Sequence, residues 1–462
     1  MIRTVFAVIV ACVVAPWQAS ATDYYVSAAG SDKNPGTLAS PWQTLARASK
    51  TTFRPGDRLL LRGGDTFTDP LSLDDSDAGT ATSPVAVTSF GTGRPTISVS
   101  SGTAIFVYNA AGIDISNLTI TGTTTADTGI SFYADLAGGV LLDRIHIDSV
   151  DVSGFHENGI DIGSWNGATG YRDVRVTRTT VHGNGRTGLL IYAEQPNVHG
   201  SVYVGQVTAY SNPGVAGSTT NTGSGIVVGG VNGGTIENST AYANGANCTA
   251  SAGPVGIWAY DSNAITIQGN ESYGNRTGGP ADGGGFDLDQ NVSNSIVQNN
   301  RSHDNTGAGY LLAQGVANDV HTGNIVRNNS SENDGRQNGY GGIEIWGRVR
   351  NADIYGNSVV RSASISDGSD VRIWNAGVPS NYTSGVHVHD NVFQMAGPQP
   401  YIDVTAGALA GAADLRFYSN TYIGDGTWIW GSAVYTTSAQ WLAAGHEVAA
   451  PAPPTGVKII KP

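Results

Sequence analysis

ITIQGNESYGN (265–275), SIVQNNRSHDN (295–305) and NIVRNNSSEND (324–334) are three versions of one pattern. Adding GTIENSTAYANG (234–245), ADIYGNSVV (352–360), HVHDN (387–391) and RFYSN (416–420) aligns one column of asparagines: Asn238, Asn270, Asn300, Asn329, Asn357, Asn391 and Asn420. A second column holds Asn184, Asn212, Asn244, Asn275, Asn305 and Asp334. Two columns drifting together along the chain are the mark of a structural repeat, not of composition. Each repeat carries about three short alternating strands separated by Gly/Asn turns. One such coil cannot bury its own apolar side, so successive coils must stack. Identical amides placed one above another can hydrogen-bond up the stack, and asparagine tolerates the left-handed backbone of tight turns. The pattern predicts an all-β chain, a parallel β-helix of about ten coils spaced roughly 4.8 Å apart.

Composition agrees. Among 462 residues there are 63 glycines and two methionines, and 13% of the chain is charged. Val/Ile/Thr/Tyr runs between Gly/Asn/Asp turns replace the leucine stripes of a helical protein. The start, MIRTVFAVIVACVVAPWQASA (1–21), has a basic Arg3, an apolar run and a small-residue ending at Ala21. It reads as a signal peptide cleaved near Ala21, which predicts a secreted protein, extracellular or periplasmic. Residues 22–83 are expected to form an N-terminal cap segment, 84–423 the β-helix, and 424–462 a C-terminal cap and tail. Within the first, SPWQTLARASK (40–50) predicts a helix capped by Ser40 with Pro41 in its first turn. TSAQWLAAGHE (437–447) predicts a second short helix, and PAPPTGVKIIKP (451–462) a tail or edge strand. Loss of Cys12 with the leader would leave Cys248 as the one thiol, so packing and not a disulfide must hold the fold. The formal charge of −13 argues against nucleic acid or an anionic membrane as partner. A monomer is expected.

The run YYVSAAGSDKNPGTLASPWQTLARA (24–48), then FRPGDRLLLRGG (53–64) and the coils that follow, resembles the secreted right-handed β-helix proteins of the pectin-lyase-like superfamily. The resemblance covers nearly the whole chain after the leader. It implies a right-handed coil, as the rule for parallel crossovers also does. For activity it implies a class: polysaccharide lyases, glycoside hydrolases, epimerases and phage tailspikes share that fold.

In each coil a glycine precedes a strand: GIDIG (159–163), GLLIY (188–192), GIVVG (225–229), GIWAY (256–260), GFDLD (285–289), GYLLA (309–313) and GIEIW (342–346). The first and third residues after the glycine are apolar, so they point inward. The second and fourth then point outward and are expected to meet solvent. This stripe places Asp161, Tyr192, Trp258, Tyr260, Asp287, Asp289, Glu344 and Trp346 on one wall. Asp287 and Asp289 lie about 6–7 Å apart along one strand, and Glu344, two coils on, is about 10 Å away. An inverting glycosidase needs an acid and a base about 6.5–9.5 Å apart. Crowded like charges would raise the pKa of one carboxyl, as a general acid requires. Trp258, Tyr260 and Trp346 suit stacking on sugar faces, with Tyr192 beside them. Asp161, four coils before Asp287 and about 19 Å away, could hold only a distant sugar. Arg348, Arg350 and Arg372 are candidates to grip the substrate. His182 and His303 share a repeat position with Tyr210, Tyr242 and Tyr273 and read as structural.

Three functions follow in order. A glycoside hydrolase with Asp287, Asp289 and Glu344 as catalytic candidates comes first, acting on a polysaccharide in a groove along the helix and needing no cofactor. A polysaccharide lyase is the alternative. The resemblance implies a lysine or arginine base for it, yet the chain's lysines are Lys33, Lys50, Lys458 and Lys461, all outside the coils. That leaves Arg348 or Arg372, with the aspartates holding calcium. A non-catalytic glycan-binding protein would keep the aromatic residues and dispense with the carboxylates.

Overall fold

The computed structural model describes residues 21–123, 125–375 and 382–447. Three parallel sheets of 14, 13 and 14 strands run the length of the molecule. Each coil contributes one strand to each, giving a β-helix of about thirteen turns where about ten were expected. The first sheet starts at Asp23–Val26, paired with Arg58–Arg62. Strands of the segment 22–83 therefore already belong to the stack. The third sheet closes with an antiparallel pair, Thr427–Gly431 with Ala433–Tyr435. The leader, apart from Ala21, and the tail 451–462 lie outside the described residues.

The expected alternation holds. One apolar core runs through the coil interior from Val26 to Trp441, built from inward residues such as Ile257, Phe286, Leu312 and Ile345. Where the first sheet turns into the second, an asparagine ladder fills the corner. Asn270, Asn300, Asn329, Asn357 and Asn391 each donate from backbone N and Nδ2 to Oδ1 of the asparagine one coil on, at 2.9–3.2 Å. Asn238 does not belong to it. That residue is the left-handed turn position (φ 50°), and Ser239 takes the rung by donating to Asn270 Oδ1 at 2.9 Å. A two-residue turn, one left-handed and one buried, puts asparagine to two different uses, and these share a letter in the sequence.

The second ladder, Asn184–Asn212–Asn244–Asn275–Asn305–Asp334, is as expected. It explains the glycine before each third-sheet strand. A Cβ on Gly256 would sit 2.1 Å from Ser272 Oγ and 2.7 Å from Asn275 Nδ2. On Gly285 it would sit 2.2 Å from Ser302 Oγ. Outside, His182, Tyr210, Tyr242, Tyr273 and His303 stack ring on ring at 4.7–5.0 Å, a structural column.

Among the described residues three short helices interrupt the strands: α1 Leu45–Ala48, α2 Ala406–Leu409 and α3 Ser438–Ala443. α1 is capped by Thr44, not Ser40, because Trp42 is extended and bridges Val26. α3 lies where expected, capped by Thr437. Cys248 is buried as a free thiol. Among the described residues no helix is long and apolar enough to cross a membrane.

Candidate active site

The third sheet brings the outward stripe into vertical register. Asp161 pairs with Leu190, Leu190 with Val227, Val227 with Trp258, and Trp258 with Asp287. Asp287 then pairs with Leu311, Leu311 with Glu344, Glu344 with Arg372, and Arg372 with Asp403. The acidic and aromatic residues do share a wall. They do not, however, stand in solvent. Asp161, Asp287 and Glu344 are 8%, 4% and 0% exposed. Extended loops from the corner before the third sheet fold back over the strands they introduce, a covering that strand alternation alone does not reveal.

Under these loops lies a cavity of about 340 Å³. Asp287, Asp289 and Gln290 form its floor with Leu311 and Ala313. Ser251 and Ala252 wall it on one side, Pro280, Ala281 and Asp282 on another, and Tyr340, Trp346 and Trp374 close it. No lysine, arginine or histidine is among these lining residues. Asp282 had no signal in the sequence, where PADGGG reads as a turn, and its backbone is indeed left-handed (φ 55°). Tyr340 holds it: the phenol donates to Asp282 Oδ1 at 3.0 Å and accepts from Asp282 N at 2.9 Å. Gly253 N donates to the other oxygen at 2.9 Å. This contact straps together loops two coils apart.

Burial, more than repulsion, sets the charge state. It lifts Asp287 well above the usual carboxylate range, with the charges of Asp289 and Asp282 adding to the effect. Burial pushes Asp289 up to about 7, opposed by hydrogen bonds from Gln290 and helped by the charges of Asp282 and Asp261. Asp282 is raised by burial against its two hydrogen bonds. Asp287 Oδ1 has no hydrogen-bond partner among the described residues. A buried carboxyl oxygen without a partner is costly unless the group is neutral.

Glu344 stands two strands from Asp287 in the register, as the spacing predicts. It lies on the same wall but does not line the cavity. Its Oε2 accepts from Gly341 N at 2.8 Å, and Arg372 Nη1 is 3.9 Å from Oε1. Burial pushes it up to about 8 against the attraction of Arg372. Arg372 lies over the Trp374 ring at 4.8 Å, 3.7 Å from Asp403, and donates to Gly339 O at 2.7 Å. Arg348 and Arg350 both reach Asp319 at 2.8 Å, away from the cavity lining. Among the described residues no group of three or more His, Cys, Asp and Glu side chains is arranged to hold a metal ion.

A second cavity, about 590 Å³, lies on the same wall toward the N-terminus. Asp161, Tyr192, Trp258 and Tyr260 line it, as do Trp165 and the ion pair of Arg186 with Glu157 at 3.2 Å. Thus the stripe lines two cavities along one wall.

The comparisons with known proteins define a class of fold. A pattern described as "Right handed beta helix region" matches residues 210–359. The lacto-N-biosidase of Eubacterium ramulus superposes with a TM-score of 0.60 at 19% identity, over 80% of this chain and 68% of that one. A mannuronan C-5 epimerase A-module from Azotobacter vinelandii superposes at 0.54 with 16% identity, over 76% of this chain and 91% of that one. These likenesses establish the right-handed parallel β-helix. More particularly, 85 residues are 36% identical to a lacto-N-biosidase of Bifidobacterium longum subsp. longum, a match spanning 17% of this chain and 5% of that protein.

Proposed function

We propose that this chain is a carbohydrate-active enzyme, a glycoside hydrolase acting on an uncharged glycan bound in the smaller cavity. One observation carries the reading: Asp282, Asp287 and Asp289 line that cavity with raised pKa values and no cationic side chain beside them. A uronate polymer would bring further negative charge into such a site, whereas a neutral sugar brings hydroxyls that the carboxyls can bond. The likenesses to lacto-N-biosidases support hydrolysis in the same direction.

Asp287, kept protonated at neutral pH, gives its proton to the glycosidic oxygen as the bond to the anomeric carbon breaks. Asp289, whose pKa is pushed up to about 7, takes a proton from the water that attacks the opposite face. Two residues along a strand separate them by about 6–7 Å, which suits an inverting reaction. The charge of Asp282 helps keep both high, and Tyr340 keeps Asp282 in place. Trp346 and Trp374 offer ring faces for the sugar.

Elimination on a uronate polymer is the second reading, and Arg372, stacked on the cavity residue Trp374, is the observation that favours it. Calcium held by the aspartates belongs to the same reading. One experiment separates these. The protein is incubated with neutral and uronate polysaccharides and with oligosaccharides ending in lacto-N-biose, and reducing ends are followed with ultraviolet absorbance. Reducing ends alone support hydrolysis, while both signals together support elimination. Full activity in both Asp287→Asn and Asp289→Asn would overturn the assignment.

A further inference from the structure

The larger cavity is used neither by the chemistry above nor by the core, and it has the construction of a binding site. Asp161 forms its floor. That side chain is 8% exposed and lines the chamber; Asn158 Nδ2 donates to its Oδ2 at 3.2 Å, and Ser131 and Thr128 also hydrogen-bond the carboxyl. Around it stand four ring-bearing residues. Trp258 and Tyr260 lie 5.3 Å apart on one strand, and the Trp258 indole is fixed by donation to Ser224 Oγ at 3.1 Å. Tyr192 comes from two coils earlier, and Trp165 is 55% exposed at the rim. The one cationic lining residue, Arg186, is tied to Glu157 at 3.2 Å and to Thr220 at 2.9 Å. A buried carboxyl able to accept a further hydroxyl, a fixed indole with phenol rings, and an arginine already paired with Glu157 suit one ligand chemistry: an uncharged pyranose, stacked on a ring and donating a hydroxyl to Asp161.

We infer that this chamber is a distal sugar subsite in which Asp161 accepts a substrate hydroxyl, so that the preferred substrate is an oligosaccharide long enough to reach from Asp161 to Asp287. The register places these aspartates four strands apart on one sheet, about 19 Å at the strand spacing. Trp258, which lines the larger cavity, is the strand neighbour of Asp287 in the smaller. This inference rests on the smaller cavity being the hydrolytic centre for its statement about substrate length, but not for its statement about binding.

The test is a titration of the full chain by calorimetry with cellohexaose, chitohexaose, xylohexaose and mannohexaose and with the corresponding disaccharides. Wild type, Asp161→Asn and Trp165→Ala are compared, with thermal melts to show that each variant is folded. At least one hexasaccharide is expected to bind wild type, with a Kd raised tenfold or more in both variants, while disaccharide binding changes less than twofold. Hexasaccharide affinity untouched by both substitutions would overturn the subsite, as would no hexasaccharide binding at all. If binding depends on Asp161 but no reducing ends form, the subsite stands and the hydrolytic reading falls. If reducing ends form from disaccharides and hexasaccharides with equal kcat/KM, the subsite falls and the hydrolytic reading stands.

Discussion

Replacing Glu344 by glutamine isolates the cost of a buried carboxyl on this wall. The side chain is 0% exposed, and its pKa rises from 4.5 to about 8. Between those values the folded chain holds a proton that the unfolded chain has released, so stability falls as pH rises through this window and levels off above it. The gap, at about 1.4 kcal/mol per pH unit, is worth about 5 kcal/mol. That is a large share of the 5–15 kcal/mol typical of a folded domain. Glutamine has nearly the same shape and no charge to lose. Urea unfolding of wild type and Glu344→Gln at pH 5 and pH 8.5 should therefore show similar stability at the lower pH and a more stable variant at the higher. The other buried carboxyls titrate in both proteins and cancel in the difference. Parallel pH curves for the two proteins would refute the reasoning, because Glu344 would then be ionised in the fold or never buried.

Tyr340→Phe removes the phenol that donates to Asp282; the Asp282 carboxyl should become harder to ionise, and with less negative charge beside Asp289 the acid limb of the pH–activity profile should move downward, read from initial rates between pH 4 and 9. Asn275→Ala deletes a rung whose Nδ2 reaches Asn305 Oδ1 at 2.9 Å and whose Oδ1 takes two donors from Asn244; orphaning those buried groups should lower unfolding free energy by about 2–4 kcal/mol in urea. Gly256→Ala forces a methyl against Ser272 Oγ and the Asn275 amide, and should cost about 1–3 kcal/mol, seen as a lower Tm. Asp289→Asn should lower kcat by about a hundredfold or more by removing the base, measured by reducing-end release on a cleaved glycan.

The architecture was legible because it is repetitive. Asn275 and its column recur at nearly fixed spacing, and glycine before each third-sheet strand marks the side facing them. Local identity was harder. Asn238 and Ser239 are neighbours, and sequence alone cannot say which is the left-handed residue and which the rung, since asparagine serves both. The same holds for Ser40 and Thr44, two competent caps four residues apart, decided by where Trp42 bridges Val26. Alternation placed Asp287 and Glu344 on the right wall but not at the right depth. Depth depends on loops such as 276–283 and 333–340, whose path is set by a tertiary contact, Tyr340 with Asp282, spanning 58 residues. Asp282 was invisible for that reason: on its own it is an aspartate in a glycine-rich turn.

In the ladders every amide-to-amide link runs toward the C-terminus, while Nδ2 also donates back to a backbone carbonyl of the preceding coil, as Asn270 does to Ile236 O; the last amide, Asn420, donates from N and Nδ2 to the Glu447 carboxylate at 3.2 and 3.3 Å. Such a column has polarity, like a row of coupled magnets, and it closes only if each link meets an identical one. An insertion or deletion of a few residues within a two-residue corner breaks the row. A gain or loss of one entire turn leaves every link intact. Lengthening of this molecule, by evolution or by design, should therefore be quantised, and the distance between its two chambers can change only in increments of one inter-strand step.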